Sequence, residues 1–245
     1  MRALPTALLL AAIALGWEVA VRVQGVQAYI LPAPSAVLAR WLTDPGFFAA
    51  EGGVSLVTAL AGLALGGGLA MLASFPMAQY AWLERALLPL AVVAKVTPVV
   101  VIAPLFVLWF GFGAAPRILI AALLAFFPVL VGAVSGLRAV PATASDVLTV
   151  LNASTYQRAV LLRLPSALPQ LFAAVKVSAT LALLGAVIAE WVGGDRGLGR
   201  AILLANSNLD VTTALAGVLT LAIIGLALIG GLTLLERRLV FWDRR

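Results

Sequence analysis

The 245-residue chain has no cysteine and no histidine, and only 11% of its residues are charged. The first absence removes disulfides and thiolate ligands, and the second removes imidazole metal sites and catalysis by His. The scarcity of charge excludes more. A soluble domain is about a quarter charged and about half apolar, whereas 63% of this sequence is hydrophobic. So few charged side chains do not cover a water-facing surface, so lipid must be the solvent for most of the chain. Soluble enzymes and disordered proteins fall at this step. No repeat of 20–50 residues and no low-complexity linker is visible, which indicates one domain over residues 1–245.

What is present in quantity is apolar sequence. A spanning helix needs about 20 mainly apolar residues. Six segments qualify, near Leu4–Val23, Ser55–Phe75, Ala86–Phe110, Arg117–Val134, Leu171–Val192 and Thr213–Leu235. The expected fold class is therefore an all-α integral membrane protein. The first segment, "MRALPTALLLAAIALGW", has the basic start and apolar run of a signal peptide, and "VQA" downstream imitates a cleavage site. Glu18 and Arg22 follow the run directly, which favours a retained span, with the two side chains paired one helical turn apart.

The net charge of +6 becomes informative once the basic residues are assigned to loops. With the N-terminus inside, Arg2, Arg85, Arg138, Arg158, Arg163, Arg237, Arg238, Arg244 and Arg245 are cytoplasmic, and Arg22, Arg40, Arg117, Arg196 and Arg200 lie outside. This bias places both termini in the cytoplasm. Lys95 and Lys176 fall within expected spans.

The longest inner loop contains "ASDVLTVLNASTYQRAVLLRLPSALP", Ala144–Pro169. Pro141 suits a first helical turn. Ala144, Val147, Leu148 and Leu151 follow at helical spacing and form one apolar stripe. Asp146 stands early in this helix, where the dipole favours an anion. Asn152 suits the left-handed residue that closes a helix. Ser154 or Thr155 can cap a second short helix, Tyr156 to Leu162, expected to stop before the proline of "LRLP". From the residues alone two readings stay open. The segment is an amphipathic hairpin on lipid headgroups, or a knob that docks into a cytoplasmic protein.

The stretch resembles the coupling motif of binding-protein-dependent ABC transporter permeases: Glu-Ala-Ala, three residues, Gly, nine residues, then Ile-x-Leu-Pro. Here the spacing is kept by Asp146-Val147-Leu148, Asn152 and Leu162-Arg163-Leu164-Pro165. Asp keeps the anion and Asn keeps access to the left-handed bend, whereas Val147 and Leu148 are bulkier than the family's alanines. The segments "LPAPSAVLARW", "APLFVLWFGFG", "FFPVLVGAVSGLRAV", "LPSALPQLF" and "AEWVGGDRGLGRAI" extend the resemblance, in order, over nearly the whole chain. They look most like the subfamily serving nitrate, aliphatic sulfonates, taurine and thiamine-precursor pyrimidines.

The resemblance implies a type I importer permease fold of about six spans, with a coupling region at about 141–165 formed by Asp146, Val147, Leu148, Leu151, Asn152, Leu164 and Pro165. It implies a homodimer of permeases in the bacterial cytoplasmic membrane, two cytoplasmic ATPase subunits, an external solute-binding protein and import of a small solute. No G-x-x-x-x-G-K-[ST] phosphate loop occurs, so ATP and Mg are expected on the ATPase chains, with no cofactor and no catalysis here. No nucleic-acid partner is expected.

Ionisable residues inside spans point to function. Lys95, in "AKVTPVVVIAP", is followed by Thr97 and Pro98, with Pro104 beyond. Read functionally, these line a path that attracts anions; read otherwise, Lys95 snorkels to the inner headgroups. Glu190 ends the fifth expected span and either lines the outer mouth or pairs with Arg196 or Arg200, the pairing being the favoured role. "GGDRGLG", Gly193–Gly199, imitates a phosphate cradle but follows a span rather than a strand, which suits a flexible outer loop better. A stand-alone secondary transporter is the rival class, and it leaves the central loop without a purpose and lacks the matching halves usual there. An intramembrane enzyme is disfavoured: metal-dependent versions need His, which is absent, and Asp44, Asp146, Asp195, Asp210 and Asp243 all fall in expected loops or the tail, so no aspartyl pair forms in the spans.

Overall fold

A computed structural model describes residues 3–242; Arg2, Asp243, Arg244 and Arg245 lie outside the described residues. Among the described residues the chain is helical with no strand, running α1 (Ala3–Gln24), α2 (Pro34–Thr43), α3 (Pro45–Gln79), α4 (Ala81–Val96), α5 (Val99–Phe110), α6 (Ala114–Arg138), α7 (Ala142–Val150) and α8 (Thr155–Arg158). A π-helical turn, Ala159–Arg163, leads into α9 (Leu164–Gly193), followed by α10 (Leu198–Ser207) and α11 (Val211–Leu239). Five described helical stretches are long and apolar enough to cross a membrane: Leu4–Gln24, Pro45–Gln79, Ala114–Arg138, Thr155–Gly193 and Val211–Leu239.

The third expected span is divided. Pro98 supplies no N–H and holds Thr97 in extended geometry, φ −67° and ψ 125°, so α4 ends there and α5 starts at Val99. Thr97 closes α4 at the break, its N and its Oγ1 both donating to Val93 O, at 3.1 and 2.8 Å. The second span begins earlier than its apolar run. Asp44 accepts from Phe47 N at 3.1 Å and Pro45 occupies the first turn, so capping chemistry starts α3 well before Ser55.

Helices α3, α6 and α9 form the core. Their interface is made of small residues. A Cβ on Gly185 would stand 2.8 Å from Ala121 Cα, and one on Gly136 would stand 3.0 Å from Ala167 O. A Cβ on Gly62 or Gly66 would collide with the backbone of Ala121 and Ala122. Ala59, Ala125, Ala182 and Ala186 fill the same seam, while Met77, Val129 and Leu130 pack its other end. Lipid tails are as apolar as side chains, so helices associate in a membrane by close contact, and small residues permit it.

The outlying helices add polar bonds to an apolar cluster of Val37, Phe48, Leu198 and Ala216. Trp41 Nε1 donates to Thr220 Oγ1 at 3.1 Å and Arg40 Nε to Thr213 Oγ1 at 2.9 Å, tying α2 to α11. Lys176 pairs with Glu236 at 2.5 Å between α9 and α11. Glu18 pairs with Arg22 as expected, and it also accepts from Ser35 N at 2.9 Å, capping α2 from the preceding helix.

The triplet Gly66–Gly68 separates packing from composition. Gly66 faces the backbone of Ala122, whereas a Cβ on Gly68 would meet nothing within 4 Å. Gly66→Ala should cost ~1–3 kcal/mol through overpacking. A lowered thermal midpoint in detergent is expected for that variant, with Gly68→Ala at the wild-type value. Equal midpoints would remove this seam as the core of the fold.

Candidate functional site

Both ends of the continuous stretch Thr155–Gly193 carry polar constructions. At its start lies the expected coupling region. Helix α7 closes with Asn152 at φ +53°, while Asn152 N bonds Thr149 O at 3.0 Å and Ala153 N bonds Leu148 O at 2.9 Å. These two bonds with a left-handed residue form a Schellman closure. Ser154 then caps α8 in a reciprocal box: Gln157 N donates to Ser154 Oγ at 3.2 Å, and Ser154 N to Gln157 Oε1 at 2.8 Å. Turn and restart are thus fixed by local chemistry.

The expected stop before Pro165 does not occur. Leu164 N bonds Ala159 O, the wide π register, and the helix runs through Leu164 and Pro165 into α9. A proline ring clashes with the carbonyl four residues before it. The wide turn relieves that clash, and the hairpin is joined to a spanning helix without a hinge loop. The apolar stripe also divides. Ala144 and Leu148 turn half inward, whereas Val147 is 59% exposed, Leu151 68% and Val150 81%. Asp146 stands exposed beside them. The structure brings Asp146, Val147, Leu151 and Asn152 together on an outward knob, with Leu164 and Pro165 half-buried at its root.

The break between α4 and α5 holds Lys95, Thr97 and Pro98. Lys95 is exposed in the last turn of α4, and its Nζ lies 4.7 Å from the Phe127 ring centroid on α6. A cation held over an aromatic face is stabilised without a carboxylate partner.

The far end of α9 differs from expectation. Glu190 is fully buried and makes no ion pair with Arg196 or Arg200, because Arg196 Nη2 is taken by Glu51 at 2.9 Å. Glu190 Oε2 accepts from Gly199 N at 2.7 Å and from Ser55 Oγ at 2.9 Å. Ser55 Oγ in turn accepts from Leu198 N at 2.9 Å, and Glu51 Oε2 from Gly197 N at 2.6 Å. Arg117, 8% exposed, donates to Arg196 O at 3.0 Å and lies 3.4 Å from Asp195. The loop 193–199 is therefore fastened from α3, α6 and α9 rather than flexible.

Its glycines have a steric reason. A Cβ on Gly197, at φ +115°, would fall inside the Glu190 carboxyl group, and one on Gly199 would stand 2.9 Å from Glu190 Oε2. The backbone must wrap closely around that carboxylate, as only glycine allows. The likeness to a phosphate cradle has a physical basis: backbone N–H groups before and at the start of α10 point at side-chain oxygens of the chain itself, Gly197 N at Glu51, Leu198 N at Ser55 and Gly199 N at Glu190. Glu51, Ser55 and Arg117 were not foreseen as partners. The only local signal was the i, i+4 placement of Glu51 and Ser55, hidden by the late start assigned to that span.

The family model for the binding-protein-dependent transport system inner membrane component matches residues 54–241. The chain is 35% identical to a riboflavin transport system permease protein of Chloroflexus aurantiacus, over 93% of this chain and 85% of the relative. It is 30% identical to a formylaminopyrimidine transport permease protein of Halalkalibacterium halodurans, over 94% and 92%. A putative aliphatic sulfonates transport permease protein of Bacillus subtilis is 32% identical, over 92% and 83%.

The Glu190 clamp makes a separable prediction. Removing the carboxylate in Glu190→Ala leaves buried donors unpaired, at ~1–3 kcal/mol. Trypsin should then cut native protein at Arg196 or Arg200 faster than in the wild type. Glu190→Gln keeps an acceptor and should stay protected; equal cleavage in all three proteins would mean the clamp does not order the loop.

Proposed function

The chain belongs to the family of binding-protein-dependent transport system inner membrane components, and we propose that its knob at Asp146–Asn152 couples a separate cytoplasmic ATPase to the membrane helices. It is a multi-pass permease subunit of an ABC importer. The observation that carries the coupling reading is the exposed apolar and acidic surface of Val147, Val150, Leu151 and Asp146, joined by one short hydrogen-bonded turn to the continuous helical stretch Thr155–Gly193. Exposed apolar residues on a short helix outside the spans need a cover, and a protein groove supplies one that accommodates Asp146 better than anionic headgroups would.

On this reading two copies of the chain pair around a central path, and each engages one ATPase subunit. ATP and Mg are bound and hydrolysed there, not in this chain. The end of the bundle that carries Arg138, Arg158 and Arg163 faces the cytoplasm, as do both termini, and the Glu190 end faces the external binding protein. The solute is small, of the sulfonate, taurine, nitrate or pyrimidine kind, in line with the names of the relatives above. Lys95, Thr97 and Pro98 form part of the path, where a cation and a helix break suit an anionic or polar solute. Glu190 contributes to the path indirectly, by holding the outer loop.

Asp146→Arg and Val147→Asp change exposed positions and should leave insertion intact. Uptake driven by ATP should fall about 5- to 150-fold, the span of ordinary coupling energies, while the ATPase chains hydrolyse ATP without transport. Normal uptake by both variants would refute the coupling assignment. Lys95→Ala should lower uptake with ATPase association unchanged; unaltered uptake would place Lys95 at the headgroups instead.

A further inference from the structure

Three arginines from three elements converge on one cavity of about 320 Å³: Arg138 at the end of α6, Arg158 in α8 and Arg163 in the π-helical turn. Ser145 of α7 and Ala78 of α3 also line it. We propose that this cavity binds a phosphate group, either an anionic phospholipid headgroup or a free phosphate, and that the bound group fastens the α7–α8 hairpin to the end of α6.

Charge is the first argument. Among the described residues Glu84 is the one carboxylate paired with these arginines; it takes Arg138 Nη1, while Nη2 of the same arginine donates to Met77 O at 2.9 Å. Arg158 gives only its Nε, to Ala153 O at 3.1 Å, so its two Nη groups remain for a ligand. Arg163 is half-buried and makes no hydrogen bond or ion pair among the described residues. Two half-buried guanidinium groups without a counter-charge leave a cost that an anion removes.

Geometry selects the anion. A planar carboxylate is satisfied by one guanidinium fork, whereas donors arriving from several directions suit an oxyanion with acceptor oxygens on several sides. The Ser145 hydroxyl adds a neutral donor from a further element. The cavity lies beside Arg138, where α6 ends, so headgroups and soluble phosphate both reach it. A headgroup carrying its own cation beside the phosphate would meet the arginines with like charge. Binding itself does not depend on the coupling reading; only its consequence for ATP-driven motion rests on that reading.

The test uses the full-length chain, delipidated in detergent, with native mass spectrometry after addition of phosphatidylglycerol or phosphatidylcholine. Phosphatidylglycerol should be retained in preference. Arg163→Gln sacrifices no internal bond and should weaken that retention by about tenfold, as loss of one charge-assisted contact implies. The paired change Arg237→Gln with Arg238→Gln, in the last turn of α11, should leave it unaltered. If the source is free phosphate, inorganic phosphate raises the thermal midpoint of the wild type but not of Arg163→Gln, with no preference between the lipids. Equal lipid retention in wild type and Arg163→Gln together with an equal phosphate response, equal loss in the α11 variant, or no response to lipid or phosphate would each overturn the proposal. Normal uptake by the α7 variants would remove the coupling assignment and leave this result standing.

Discussion

The structure depends on close backbone contact between α3, α6 and α9. In water, burial of apolar area would drive such helices together, but hydrocarbon offers no such gain. Contact must therefore be dense, and Gly62, Gly66, Gly136 and Gly185 let main chain approach main chain where any side chain would hold it off. The same requirement explains why alanine rather than leucine dominates the buried seam. Peripheral helices show the alternative: α2 and α11 are joined through Trp41, Thr220, Arg40 and Thr213, hydrogen bonds that are worth about 0.6 kcal/mol on average between membrane helices.

Rigid placement of α9 gives its two ends a relationship. One end continues through a π-helical turn into α8, which the capped turn at Asn152–Ser154 joins to the knob, and the other supplies Glu190 to the loop before α10. Under the proposed function, force applied to the knob has no flexible linker in which to dissipate before it reaches the core seam. The clamp by Glu51, Ser55 and Glu190 gives the opposite face a defined shape. A buried carboxyl group that accepts from Gly199 N and the Ser55 hydroxyl is a specific fastening, because its removal leaves both buried donors unpaired.

Legibility in the sequence followed the range of the chemistry. The bend at Asn152 and the capping box of Ser154 with Gln157 depend on residues within one turn, and the letters announce them. The apolar runs announced the membrane class for the same reason. The break at Thr97–Pro98 was also spelled by a proline, yet an apolar window bridges it because hydropathy is blind to backbone hydrogen bonding. Pro165 misled in the opposite sense: it reads as a stop, and the π register that accommodates it has no letter of its own. Glu190 was out of reach for a different reason. Its partner Ser55 is 135 residues away, and the glycines around it signal close approach to an anion without saying whose. Arg158 and Arg163 read as cytoplasmic basic residues of the central loop; the fold places both at one cavity with Arg138.

The most direct test of the coupling account is to place a photo-activated cross-linker at Val150, the most exposed apolar residue of the knob, in the native membrane. The account predicts a covalent product with a cytoplasmic ATPase subunit, formed in intact complexes and identified by mass spectrometry. Cross-linking to lipid alone, with the ATPase captured only from positions elsewhere on the chain, would contradict it.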